Sequence, residues 1–331
     1  MPALGLVTAE QPVSEPSFET GCTAVAEPIG LVSCAALGVA IVLGPAVPAV
    51  NAQGTEASMF VSVLDESRSP VHGLGPTDFV IEEDGNQREV LQVQPATVPM
   101  QIAVLVDTST AAAPAIRDIR NGLVALVDGL RDGNEIALVS FGGVPRILVE
   151  STSRPERLHD GIGQVFAFPD SAAYLLDALV ETARGFERRA APRPVIVAIT
   201  TEGVDYSNRD ARQVVEALRD SGTAVHTVVL QTRLSVSVAA DPSGGFGFGN
   251  DGRERDLVLT QGPLESGGQR IDILLSPRLG DALKELVTVL RSQYEVVYAR
   301  PTSLIPPEEI SVRVRRNELT VRGTPAKRTT N

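Results

Sequence analysis

Between residues 101 and 230 the chain carries short, almost continuously apolar stretches: QIAVLVD (Gln101 to Asp107), EIALVSF (Glu135 to Phe141), PVIVAIT (Pro194 to Thr200) and AVHTVVL (Ala224 to Leu230). Runs of this length without polar alternation are the pattern of strands covered on both faces. Between them lie segments with apolar residues every three or four positions, which predict helices around Ile116 to Leu130, Tyr174 to Phe186 and Arg209 to Arg219. Strands alternating with amphipathic helices give an α/β fold, a doubly wound and mainly parallel sheet of Rossmann-like type with helices on both faces. Functional residues are then expected where the strands end and loops open, at the carboxyl edge of the sheet.

The flanks have a different rhythm. SMFVSVLD (Ser58 to Asp65), DFVIEED and REVLQV alternate apolar and polar residues, separated by ESRSPVHGLGP and DGN, which is turn chemistry. They predict an amino-terminal β module over 56–98. After a last helix, LGDALKELVTVLRSQ (Leu279 to Gln293), come YEVVYA, EISVRVR and ELTVRG, carboxy-terminal strands over 294–323. Each set is too short to bury an apolar face alone, and together they supply about six strands, enough for a small β-sandwich flanking a central domain over 99–293. Within that domain the periodicity fades over 234–269. DPSGGFGFGNDGRERD in this stretch is glycine-rich and polar, so a flexible loop is expected there. The tail TPAKRTTN is expected to fray.

Composition narrows the function. The 331 residues, 43% of them hydrophobic, can bury a sizeable core, and the formal charge of -12 repels a phosphate backbone, so nucleic acid is excluded as a partner. His72, His159 and His226 are far apart and belong to no ligand-spaced motif. From Ile29 to Val50 the chain has no charge, and Val50 and Ala52 stand as the small residues of an A-x-A-like cleavage site. Residues 1–52 are therefore read as an export signal, removed after Ala52 together with Cys22 and Cys34. Glu10, Glu15, Glu19 and Glu27 precede the run and the first basic residue is Arg68, unlike the positive start of an ordinary signal. The alternatives are a start downstream of Met1, a retained single-span anchor, or lipidation at Cys34 in LVSC. The expected location is secreted, periplasmic or elsewhere in the cell envelope, with membrane contact only through the leader.

The first apolar strand runs directly into DTSTA, placing Asp107 at a strand's carboxyl end and Ser109 two residues later; taken alone, such an aspartate is as readily a cap of the turn. With DSAAYLLDAL (Asp170 to Leu179) and the TEGVD that follows the third apolar strand, the segment resembles the von Willebrand factor type A domain. That resemblance implies a metal-ion-dependent adhesion site formed by D-x-S-x-S, a loop threonine and a loop aspartate, holding a hard divalent cation through oxygen ligands. Asp107 and Ser109 match, but Ala111 stands at the second serine, Ala173 at the threonine, and Glu202 at the aspartate. The implied ligands are Asp107, Ser109 and Glu202, with Ser171 or Asp170 able to substitute only if their loop is displaced. The expected occupant is weakly held Mg²⁺ or Ca²⁺. The likeness extends over about Ala57 to Gly323: FVSVLDESRSPVHGLGPTDFVIEEDGNQREV ahead of VLVDTS, and a close near LRSQY and VRVR, resemble bacterial secreted proteins, frequent in acidobacteria, with a type A-related domain.

An enzyme needs a nucleophile with a base, a paired acid system or a metal-bound water, and no G-x-S-x-G, H-E-x-x-H, phosphate loop or cysteine-histidine arrangement is present. The expectation is an exported, non-catalytic binding protein that engages a protein partner through a type A domain with a degenerate metal site. The principal alternative is a metal-independent structural or assembly factor of the envelope, and an enzyme of unknown class comes third.

Overall fold

The structure, a computed structural model, describes residues 55–231, 250–302 and 307–325. The leader with its cleavage point, Cys22 and Cys34, residues 234–249 of the expected loop, and 326–331 of the tail lie outside the described residues.

The chain opens with β1 (Thr55–Leu64), β2 (Phe79–Glu83), β3 (Asn86–Arg88) and β4 (Val90–Pro95). Asp84 and Gly85, between β2 and β3, both have positive φ, 48° and 74°. A two-residue turn of this hand matches the twist of the strands it joins, and Asp-Gly suits it. The central domain follows: β5 (Gln101–Val106), α1 (Ile116–Leu130), β6 (Glu135–Ser140), β7 (Arg146–Thr152), α2 (Pro155–Gly163), α3 (Leu175–Arg188), β8 (Pro194–Thr201), α4 (Ala211–Ser221), β9 (Ala224–Leu230), α5 (Asn250–Ser266), β10 (Arg270–Ile273) and α6 (Leu279–Arg291). The chain ends in β11 (Tyr294–Arg300), β12 (Ile310–Val314) and β13 (Thr320–Pro325).

The central sheet has six strands in the order β10-β9-β8-β5-β6-β7, parallel except for β7, which runs antiparallel to β6 at the edge. Side chains of a strand point alternately to the two faces. Ile102, Val104 and Val106 therefore pack with α1, α2 and α6, while Ala103 and Leu105 pack with α3, α4 and α5. Continuous apolar runs are needed because both faces are core. Helix α1 lies close to α6, since a Cβ at Gly122 or Gly129 would come within 3 Å of Leu283 or Val287. Helix α4 begins at Asp210, whose carboxylate accepts from the Gln213 amide at 2.9 Å, and ends at left-handed Gly222.

The flanking strands form two antiparallel sheets, β13-β1-β11-β4 and β12-β2-β3, each built from both ends of the described chain. Met59, Val61, Ile81, Val296 and Tyr298 make their shared core. Glu83, buried at its edge, accepts from the Tyr298 hydroxyl at 3.0 Å and from Arg88 at 3.1 Å, and is also paired with Arg300. One buried cation ties this module to the central domain. Arg193, just before β8, donates to the carbonyls of Val98 (2.9 Å) and Leu290 (3.3 Å) and to Gln293 Oε1 (2.6 Å), with Phe60 of β1 stacked 4.7 Å from its guanidinium. Gln293 in turn donates to Ser62 of β1 at 2.9 Å.

The flexible loop expected over 234–269 is corrected in its second half: residues 250–266 are helix α5, and strand β10 follows directly after the expected loop. The inward positions of α5 include Arg255, Gly262, Pro263 and Ser266 beside Val258 and Leu259. A stripe so rich in polar and small residues carries no apolar periodicity for the sequence to show.

Candidate functional site

Strands β5 and β8 are neighbours, with Val106 opposite Ile199, and chain order reverses at β5: β6 and β7 follow on one side, β8 to β10 on the other. A crevice at the carboxyl edge is expected where the order turns. A cavity of about 750 Å³ opens there, lined among others by Asp107, Ser109, Ala111, Ser171, Ala173, Glu202 and Arg255.

Asp107 is 0% exposed, and both its oxygens are engaged. Oδ1 accepts from the Ser109 amide at 2.9 Å, while Oδ2 accepts from the Thr201 amide at 3.0 Å and the Thr201 hydroxyl at 2.6 Å. The aspartate that ends β5 thus closes its own turn and ties it to the end of β8. Behind the turn, Gly142 leaves no room for a side chain: a Cβ there would lie 2.2 Å from the Thr108 carbonyl carbon. Its amide donates to the Thr108 hydroxyl at 3.0 Å.

The structure places the other expected ligands as follows. Ser109 is buried and starts the turn of 3₁₀ helix at Thr110–Ala115 without a side-chain cap bond. Ser171 spends its hydroxyl on the Phe168 carbonyl at 2.7 Å, and its amide donates to the Thr110 hydroxyl at 3.1 Å. Asp170 and Ser171 both line the cavity, and Ala173, two residues further on, forms isolated bridges to Gly142 on one side and Asp205 on the other. Glu202 follows β8, lines the cavity, and its amide donates to the Leu230 carbonyl at 3.1 Å. Asp107 and Glu202 therefore share the cavity wall, but the partner in contact with Asp107 is Thr201.

Three residues important to the site are not among the expected ligands: Thr201 and Asp205, which begin and end TEGVD, and Arg255, which lies outside the motifs. Thr201 supplies the two hydrogen bonds just described. Asp205, 1% exposed, accepts from the Leu175 amide at 2.7 Å and from the Ser207 amide at 2.9 Å, holding the TEGVD loop against the first turn of α3. Arg255, from α5, is 4% exposed. It donates to the Thr200 hydroxyl and the Gly203 carbonyl, both at 2.6 Å, and to the Thr201 carbonyl. Burial pushes its guanidinium below the ordinary arginine value, opposed first by the charge of Asp107 and then by Asp205 and Glu202.

The donor set does not fit a divalent cation. Mg²⁺ asks for near-octahedral oxygen and Ca²⁺ for at least as many ligands. Here alanine stands at 111 and 173, the Asp107 carboxylate already accepts three hydrogen bonds, and a buried guanidinium shares the same wall. Among the described residues no three His, Cys, Asp or Glu side chains group closely enough to hold a metal. His226, by contrast, lies in mid-sheet, and His159 pairs with Asp128 at 3.0 Å.

The rim is apolar. Val144 (78% exposed) follows β6, Phe166 (54%) and Phe168 precede α3, and Val204 and Tyr206 (61%) lie in the loop after β8. Two of these loops are ordered by backbone bonds to the site, Phe168 to Thr108 and Tyr206 to Ala173, each at 2.9 Å. Arg120 lies 4.2 Å over the Phe166 ring.

No curated protein matches the chain in sequence. Among solved structures, the proximal thread matrix protein of the mussel byssus, with a zinc-occupied adhesion motif, is similar at 14% identity over 64% of this chain and 50% of its own, with a TM-score of 0.46. The chain thus spans about half the length of that protein. A von Willebrand factor type A protein from Catenulispora acidiphila is 11% identical over 83% of this chain and 74% of its own, TM-score 0.44. An aerotolerance-related membrane protein from Bacteroides fragilis is 16% identical over 57% and 98%, TM-score 0.40. Residues 101–239 match the family model of the von Willebrand factor type A domain, whose members typically mediate protein–protein interaction and can bind a metal ion at this edge. Over residues 101–239, then, the chain carries a von Willebrand factor type A domain.

Proposed function

We propose that this is an exported, non-catalytic binding protein that docks a protein partner on the carboxyl edge of its type A sheet, over a metal site that has degenerated. The observation that carries the reading is a set of exposed apolar side chains at the cavity: Val204 and Tyr206 on its wall, and Val144, Phe166 and Phe168 on the segments that lead into its wall at Gly143 and Asp170. Exposed aromatic residues gathered around a concave site are the composition of an interface centre rather than of ordinary surface. No histidine, cysteine or lysine lines the cavity, and its buried acid, Asp107, is committed to hydrogen bonds with Ser109 and Thr201, which supports a binding role over catalysis. The uncharged run of 29–50 supports export.

The test is capture of partners from a cell-envelope extract with and without a chelator, using the wild-type chain and a Phe166→Ser/Tyr206→Ser variant. Exposed positions of this kind can be changed with little effect on folding. The expected result is a defined partner held equally in chelator and lost, by tenfold or more, in the variant. A partner that leaves with the chelator, or one held as well by the variant, argues against the reading, and recovery of the chain in the cytosol argues against export.

A further inference from the structure

We propose that Arg255 replaces the divalent cation of the type A site, so that the positive charge at the sheet edge is part of the chain and the site is complete without metal. The inference concerns the cavity described above but does not depend on a partner binding there.

Thr201, the last residue of β8, is held from two sides. Its amide and hydroxyl donate to Asp107, while its carbonyl accepts from Arg255. The two buried charges, one negative and one positive, are therefore separated by a single residue to which both are hydrogen-bonded. A buried carboxylate needs a counter-charge or it neutralises itself, and a buried guanidinium, which cannot give up its proton at any ordinary pH, needs one equally. Each supplies the other. The guanidinium also takes the Thr200 hydroxyl and the Gly203 carbonyl, so it orders the strand end and the loop that a bound ion would otherwise help to order.

Its placement is built in. The preceding residue, Glu254, accepts from the Ala211 amide at 2.6 Å, pinning α5 to the first turn of α4 and fixing where Arg255 projects. The losses and the gain also agree. Ala111 and Ala173 remove the neutral oxygens a cation requires, and those losses carry no penalty where a cation is no longer bound. A divalent ion entering the same cavity would meet a fixed like charge in surroundings that screen it poorly.

The experiment uses the full chain after chelator treatment, with Mn²⁺ and Mg²⁺ as probes, followed by calorimetry and by thermal melting. For wild type the expected result is no cation binding that depends on Asp107, and the same melting temperature in chelator as in millimolar Mg²⁺. Arg255→Met, which keeps an unbranched apolar stem and removes the charge, should melt lower in chelator, recover part of the loss in Mn²⁺, and gain cation binding that Asp107→Asn abolishes. Arg255→Lys should behave as wild type toward cations. If Arg255→Met does not fold, Asp107→Asn alone decides the matter: with Arg255 as its counter-ion it melts lower by the same amount in chelator and in Mg²⁺, whereas an ion site would lose stability only in Mg²⁺. Asp107-dependent binding of Mg²⁺ or Mn²⁺ to wild type overturns the proposal, as does an Arg255→Met protein that folds and gains none. Either result leaves the docking reading to its own test.

Discussion

At the scale of single residues, His226 sets a limit on acid stability. It is buried in the middle of β9, and neither ring nitrogen has a hydrogen-bond partner among the described residues. Burial, with a smaller contribution from Arg322, holds its imidazole down at about 3 from the ordinary 6.5. The folded state therefore binds the neutral ring. Its contribution to stability is fully present above pH 6.5 and is lost as the pH falls from there toward 3, because the unfolded chain takes up the proton first. At pH 5 the loss amounts to about 2 kcal/mol. Urea unfolding of wild type and His226→Leu at pH 7 and pH 5 measures it: the variant should show a smaller drop on acidification, and an equal drop in both would assign the acid sensitivity elsewhere. Residues also divide by what the sequence reveals of them. Asp107 and Ser109 were legible because a site residue at a strand end has a local signature, an apolar run breaking into small polar residues. Arg255 was not, since its partner Thr201 lies 54 residues earlier and the segment around it is glycine-rich. Only the fold brings a helix so weakly marked to the sheet edge.

Elements were legible in proportion to the apolar contrast of their own residues. Helix α1 falls where the spacing of Ile119, Leu123, Leu126 and Leu130 puts it, and β9 where its seven buried residues do. Strand β7 escaped because it is an edge strand with most of RILVEST outside the core, and α5 because its inward stripe is mostly polar or small. The joint between the elements was equally hidden, being made by one polar side chain. Arg193 holds the connection between β4 and β5, the end of α6 and the residue before β11 together through Val98, Leu290 and Gln293. Arg193→Met leaves the Leu290 carbonyl and Gln293 Oε1 buried without this donor, which costs about 3 kcal/mol. The consequence should go beyond stability: chemical denaturation is expected to be single-step in wild type and to separate into two transitions in the variant, as the flanking sheets and the type A domain lose their common tie. A single transition at an unchanged midpoint would show the tie to be redundant.

Over the whole molecule, the type A domain hangs between two strands that already pair, since Pro95 of β4 lies opposite Tyr294 of β11. The register of the same sheet gives the protein a direction under load. Strand β1 leaves the sheet at Thr55, opposite Arg300, whereas its other end lies by Tyr294, where the chain emerges from the type A domain. Tension between Thr55 and a partner gripped at the type A domain runs along β1 and slides it against β11 and β13. The ladder bonds lie across the strands, so they resist together. Tension between Thr55 and Pro325 acts differently, for Pro325 sits opposite Met59 and the two residues lie toward the same end of an antiparallel pair. That pull peels β13 from β1 one bond at a time. Single-molecule stretching with handles at these two pairs of points should give a clearly higher rupture force for the first geometry, and equal forces would mean that another contact carries the load. A chain fixed through its amino-terminal side and holding a partner at the far edge of the type A domain would be pulled in its strong direction.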